Sequence, residues 1–245
     1  MALARAIVRS FASDSASLQK RLVQCFSLGQ FNEALKLGLE LKANTVKEHG
    51  ENHPVHLHVL GSLGQIYRSL GDFDLSVSLT TEMHDKFLRQ FGEQSRSTIR
   101  AKHLLGSCYT AKGSPDVALG LLQEALTLRR KYAAEETLDI VENLLELGKC
   151  YMMLGETEKA RGVVEEAKSL VGEKYGYDNI LMGKILEAFA QIAVTSNNPQ
   201  EALTCLRTAL SMHQEWYGPL HRTTSHTQSL LDQLLRAHPH LAPSA

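Results

Sequence analysis

The chain has 245 residues, 26 basic against 27 acidic, and a formal net charge of −1. That balance excludes a general electrostatic grip on nucleic acid. No apolar run approaches the roughly 18 residues that a membrane-spanning helix needs, so no transmembrane segment is expected. The four cysteines, Cys25, Cys108, Cys150 and Cys205, lack C-x-x-C pairing and read as buried, reduced thiols rather than as a zinc or disulfide framework.

Taken from the N-terminus, residues 1–13 differ in character from the rest of the chain. They hold Arg5 and Arg9, no acidic residue, and several Ala and Ser. Drawn as a helix, they place Leu3, Ile7, Val8 and Phe11 on one side and the arginines opposite, the pattern of a mitochondrial presequence. Arg9-Ser10-Phe11-Ala12-Ser13 resembles a processing site with cleavage after Phe11. The alternative for this segment is an N-terminal helix docked on the first hairpin.

From about Ser15 the chain is periodic. Gly29, Gly71, Gly113, Gly155 and Asn197 follow one another at intervals of 42 residues. Gly and Asn accept the left-handed conformation that ends a helix, so this ladder predicts stacked helical hairpins. Their expected spans are 15–52, 53–94, 95–136, 137–178 and 179–220, followed by a helix over 222–237 and a tail over 238–245. The column that opens each new hairpin reads His53, Ser95, Thr137, Asn179 and His221. Ser, Thr and Asn there predict N-caps. Second helices open after Asp72, Ser114 and Asn198, with Pro115 and Pro199 just inside and Asn198 and Glu201 at capping-box spacing. Seven residues before the turn stand Gly64, Gly106 and Gly148, small enough for two helices to approach closely. Leu230, Leu231, Leu234 and Leu235 predict that the last helix covers the open apolar end of the stack.

Leu63-Gly64-x-x-Tyr67-x-x-x-Gly71 recurs as Leu105-Gly106-x-x-Tyr109-x-x-x-Gly113 and as Leu147-Gly148-x-x-Tyr151-x-x-x-Gly155. These columns resemble the tetratricopeptide repeat (TPR). The 42-residue period, with Gly50-x-x-His53-Pro54 and Gly218-x-x-His221 between hairpins, is similar to the longer repeats of kinesin light chains. The resemblance covers about residues 15–237. It implies an all-α fold: a right-handed α-α superhelical solenoid of about five TPR hairpins plus a C-terminal capping helix. Where kinesin light chains carry an Asn pair, this chain has Gly61-Ser62, His103-Leu104 and Leu145-Glu146, which points away from a cargo-adaptor role. Gln19 and Val23 stand where the Lys and Asn of a chaperone-binding carboxylate clamp would be needed.

In this family the first helix of each hairpin lines a concave face. Carried over by register, the partner-binding candidates are His58, Gln65, Arg68, Arg100, His103, Ser107, Glu142, Lys149, Lys184 and Glu187. Arg68, Arg100, Lys149 and Lys184 give the set a basic lean, suited to an extended or helical partner segment with acidic residues; the bland alternative is a solvated polar face. His49, His53, His56 and His58 lie close in sequence, but Pro54 starts a helix among them and no carboxylate recurs at zinc spacing. There is no G-x-S-x-G, Walker loop or H-E-x-x-H, so neither catalysis nor a cofactor is expected. The implied function is a non-catalytic scaffold for protein partners, as a subunit or assembly factor of a mitochondrial complex. The runner-up is a cytosolic adaptor; a helical-repeat RNA binder and an enzyme rank below both.

Overall fold

The computed structural model describes residues 2–241, with side chains described from residue 15. Among the described residues there are eleven α-helices, one short 3-10 turn at Pro239–Leu241 and no strand. The helices are α1 (Ala2–Ser27), α2 (Phe31–His49), α3 (Pro54–Leu70), α4 (Phe73–Phe91), α5 (Arg96–Lys112) and α6 (Pro115–Tyr132). They continue as α7 (Thr137–Met153), α8 (Thr157–Tyr175), α9 (Ile180–Thr195), α10 (Pro199–Tyr217) and α11 (Arg222–Ala237). No helix of the described residues is long and apolar enough to cross a membrane. Helix α1 runs back from the expected start near Ser15 to Ala2. The apolar and arginine faces read for residues 1–13, and the end of the tail, lie outside the described side chains.

The ladder of turns has one geometry. Gly71 sits at φ 85°, ψ 3°. Its N–H donates to the Arg68 carbonyl, and the Asp72 N–H reaches back to the Tyr67 carbonyl. The same pair of bonds recurs around Gly29, Gly113, Gly155 and Asn197, all at positive φ. This left-handed C-cap satisfies two helix-end carbonyls and turns the chain antiparallel. Side-chain caps follow where expected: Asp72 Oδ1 accepts from Leu75 N, Ser95 Oγ from Thr98 N, and Asn198 Oδ1 from Glu201 N. His53 and His221 are caps too, each accepting through Nδ1 from the amide two residues on.

A second ladder lies between hairpins. Gly50, Gly92, Gly176 and Gly218 have φ of 86°, 75°, 79° and 83° and ψ of 163°, 171°, 169° and 165°. That region is essentially closed to residues with a Cβ. Position 134, where the fifth glycine of this ladder would fall, is Ala. There α6 stops at Tyr132 and α7 starts at Thr137, each one residue earlier than its counterparts. Thr137, expected as an N-cap, is therefore already helical, and Glu136 opens the helix without a side-chain cap bond. The Thr137 hydroxyl instead accepts from Lys174 Nζ at 2.6 Å.

The chain forms two compact units, residues 1–121 and 122–245. In the first, α1 to α5 pack in sequence order and α3 also touches α5. Its core gathers Leu18 and Leu22 of α1, Leu37 and Leu41 of α2, and Leu63 and Ile66 of α3. In the second, α7 to α11 pack in order and α7 touches α9. Leu231 and Leu234 of α11 are buried against Ala190 and Ala193 of α9 and Leu203 and Leu206 of α10, while Leu230 and Leu235 pack at the edge. Helix α11 thus covers the apolar face of the last hairpin. Two positions of the small-residue column show the close approach expected: a Cβ on Gly64 would lie 2.6 Å from Thr80 Cγ2, and one on Gly148 would lie 3.0 Å from Val164 Cγ2.

Candidate functional site

Within each unit the first helices of neighbouring hairpins lie side by side, so their outward residues share a face. In the first unit that face belongs to α3 and α5. Arg100 is exposed, and so is His58, whose ring lies 5.2 Å from that of Phe87. Burial, and then the Arg100 guanidinium, push the His58 imidazole below its ordinary pKa. Gln65, Arg68 and His103 are half-buried. Ser107, expected to be open to a partner, is only 4% exposed and accepts a hydrogen bond from Arg68 Nη1. The inward turn of Ser107 places it in the α3–α5 seam, where Arg68 reaches it.

The second unit treats its candidates differently. Glu142 is exposed on α7. Lys149 is also exposed but holds Glu146 at 2.7 Å, so its charge is locally balanced. Lys184 is half-buried on α9. Glu187, expected on the open face, has a side chain only 14% exposed. It accepts a hydrogen bond from the Thr227 hydroxyl of α11 and lies 3.7 Å from His213 Nδ1 of α10. Burial holds its carboxyl above the usual range. The four cations read as one basic set are thus in four different states.

Sequence reasoning missed the polar seam around His213. This imidazole is fully buried, and its Nδ1 lies 2.8 Å from Thr227 Oγ1. Thr224 Oγ1 donates to the His213 carbonyl at 3.1 Å. Desolvation, then the charges of Lys184, His221 and His226, lower the His213 pKa to about 4. A related pair stands in the first unit, where Thr45 Oγ1 lies 3.1 Å from Nδ1 of buried His56. The signal was available in one column, Thr45, Phe87, Arg129, Val171 and His213: five residues of unlike chemistry, all at most 1% exposed. Arg129 is the most demanding of them; its Nη1 donates to the Asp139 carbonyl.

The four clustered histidines are each engaged separately. His49 and His53 stack ring on ring at 4.5 Å, His56 is buried on Thr45, and His58 lies on Phe87. No group of three potential ligands forms among the described residues. The four cysteines are free thiols, with Cys108 and Cys150 buried and Cys108 accepting from Ser76 Oγ at 3.1 Å.

Two family models of the tetratricopeptide repeat match the chain, over residues 102–134 and 139–215. No curated protein sequence matches it significantly. Among solved structures it is similar to the TPR-like repeats of a candidate kinesin light chain from Podosopora anserina, with TM-score 0.64, 20% identity, and coverage of 83% of this chain and 96% of that one. A thermophilic TPR protein of Thermus thermophilus has TM-score 0.64 and 19% identity, over 91% and 99% of the two chains. NprR in complex with its cognate peptide NprX has TM-score 0.71 and 14% identity, over 96% of this chain and 63% of that one. At such identities these likenesses speak to fold alone. Residues 102–134 and 139–215 thus carry tetratricopeptide repeats, and the described residues share the all-helical hairpin fold of these structures.

Proposed function

We propose that this protein is a non-catalytic scaffold that holds a segment of a protein partner on the outward residues of its first helices. One observation carries the reading. Neighbouring first helices lie against each other in both units, α3 with α5 and α7 with α9, so side chains from successive repeats share one face. NprR, which shares this fold over part of its length, is solved in complex with its cognate peptide. A quadruple charge reversal at Arg68, Arg100, Lys149 and Lys184 tests it. The variant, immobilised and exposed to extract from the native source, is expected to lose the partners that the wild-type chain captures; Arg100 and Lys149 are exposed and add little to folding, and circular dichroism checks that reversal at half-buried Arg68 and Lys184 leaves helicity unchanged. Capture of the same partners at the same yield removes this face from the function.

The partner belongs, in this reading, to a mitochondrial complex. Support comes from the arginine and apolar spacing of residues 3–11 and from the Arg9-Ser10-Phe11 step. Intact-mass measurement of the native protein is expected to give a mature chain starting near Ala12. Retention of residues 1–11 in a cytosolic fraction would instead favour the cytosolic adaptor.

A further inference from the structure

The seam that docks α11 departs from the repeat. At four positions it reads Gly183, Glu187, His213 and Thr227, whereas the same columns one repeat earlier read Val141, Leu145, Val171 and Ile185. The earlier set is apolar, and Val141, Val171 and Ile185 are fully buried. Docking a helix at this place therefore needs no polar group. Buried polar networks carry a desolvation cost that apolar residues of similar volume avoid, so stability does not explain the polar version. Gly183 has its own reason. A Cβ there would collide with His213 Nε2, so the glycine is the notch that admits the imidazole.

The hydrogen bonds fix where the protons sit. The Thr227 hydroxyl has one proton and faces two oxygen acceptors, Glu187 Oε1 and the Thr223 carbonyl. Toward His213 it accepts, so the neutral ring carries its proton on Nδ1 and leaves Nε2 bare. Nε2 is buried against Gly183 and has no hydrogen-bond partner among the described residues. A proton taken up from solvent must go to Nε2, where it meets no acceptor. Around the ring stand Lys184 and Glu187 on α9, Tyr217 on α10, His221 in the turn, and His226 on α11. Of these, Glu187 favours the imidazolium, but it lies on the Nδ1 side, away from the incoming proton. Lys184, His221 and His226 oppose it.

We propose that α11 is an acid-released cap: protonation of His213 at Nε2 undocks α11 from the α9–α10 hairpin while that hairpin stays folded. Helix α11 is the element that yields, because Thr224 and Thr227, which hold His213, both belong to it. It packs on this hairpin, whereas α9 is held by α7 and α8 as well as by α10. Undocking opens the Thr227 side of the ring to water, so the charged imidazole is solvated as soon as α11 leaves. It also uncovers the apolar face made by Ala190 and Ala193 of α9 with Leu203 and Leu206 of α10. The device is independent of the face that holds a partner in the scaffold reading.

Hydrogen–deuterium exchange of the full-length chain at pH 7.5 and 5 tests this, read by mass spectrometry and corrected for the intrinsic exchange rate at each pH. The His213 pKa is about 4 when docked and near the ordinary 6.5 when released, so the opening constant of α11 is expected to rise about 30-fold at pH 5. At both pH values α11 is expected to be about tenfold less protected than the interior of α9 and α10, the sign that it opens separately. His213→Gln is expected to abolish most of the rise, while His226→Gln, at an exposed position of α11, keeps it. Gly183→Ala, which fills the notch, is expected to leave α11 unprotected already at pH 7.5 with α9 and α10 still protected. One common protection for α9, α10 and α11 means that the unit opens only as a whole and overturns the proposal. So does an unchanged α11 at pH 5, the same rise in His213→Gln as in the wild type, or full protection of α11 in Gly183→Ala.

Discussion

Acidification from pH 7.5 to 5 is expected to destabilise the second unit, and His213 is expected to be the main cause. Its unfolded imidazole binds a proton near the ordinary value of 6.5, whereas the folded one waits until about 4. The stability that depends on a neutral His213 is therefore complete above pH 6.5 and drains away as pH falls toward 4. Each pH unit in that window corresponds to about 1.4 kcal/mol, so the loss is on the order of 2 kcal/mol by pH 5. The groups around His213 come from every neighbouring element: Lys184 and Glu187 on α9, Tyr217 on α10, His221 in the turn, and His226 and Thr227 on α11, while Thr224 holds the His213 carbonyl. Glu187 acts in the opposite sense. Burial raises its proton affinity, so its contribution is complete below the usual carboxylate pKa and declines as pH rises through its folded value. Trp216, the single tryptophan, lies three residues from His213 and reports on this unit. Its melting transition is expected to shift down by several degrees at pH 5 in the wild type. In His213→Gln the shift should be much smaller, and in Glu187→Gln larger. Parallel pH profiles for wild type and His213→Gln would show that the acid sensitivity arises elsewhere.

Gly64→Leu is expected to cost about 1–3 kcal/mol through overpacking of the α3–α4 seam. The first added carbon already falls 2.6 Å from Thr80 Cγ2 and 3.3 Å from the Ser76 carbonyl oxygen. The carbonyl is helix backbone and cannot step aside, and Thr80 is pinned by a 2.8 Å bond to that same carbonyl. The branched remainder of the leucine must then push the helices apart. Gly162→Leu is the control, because a Cβ there meets nothing within 4 Å and leucine is the better helix former. Denaturant unfolding should show the first variant weakened and the second unchanged or slightly stabilised. Equal midpoints for the two would mean that the glycine column does not hold neighbouring helices together.

Much of the architecture was legible in the chain because it is local. A helix closes its hydrogen bonds within four residues, and a left-handed cap needs only a Gly or Asn at the right place, so a ladder spaced by 42 residues was enough to mark the hairpins. The close-packing role of Gly64 and Gly148 followed from the same register. The exception at Thr137 also has a local cause, the Ala134 that replaces a glycine, but its effect on two helix ends needed the backbone to be seen. The state of each candidate side chain was a different matter. Arg68 is oriented by Ser107, 39 residues away; Glu187 is buried by Thr227, 40 residues away; Lys112 is neutralised by Asp74 of the preceding hairpin. Lys149, by contrast, is balanced within its own helix, by Glu146. Register places a residue on a face, but its exposure and charge balance depend on what the next hairpin brings against it. Periodicity in the chain therefore determined the repeat and its turns, and tertiary packing decided which polar groups stay open to a partner, because solvation and charge pairing act through space and are indifferent to sequence distance.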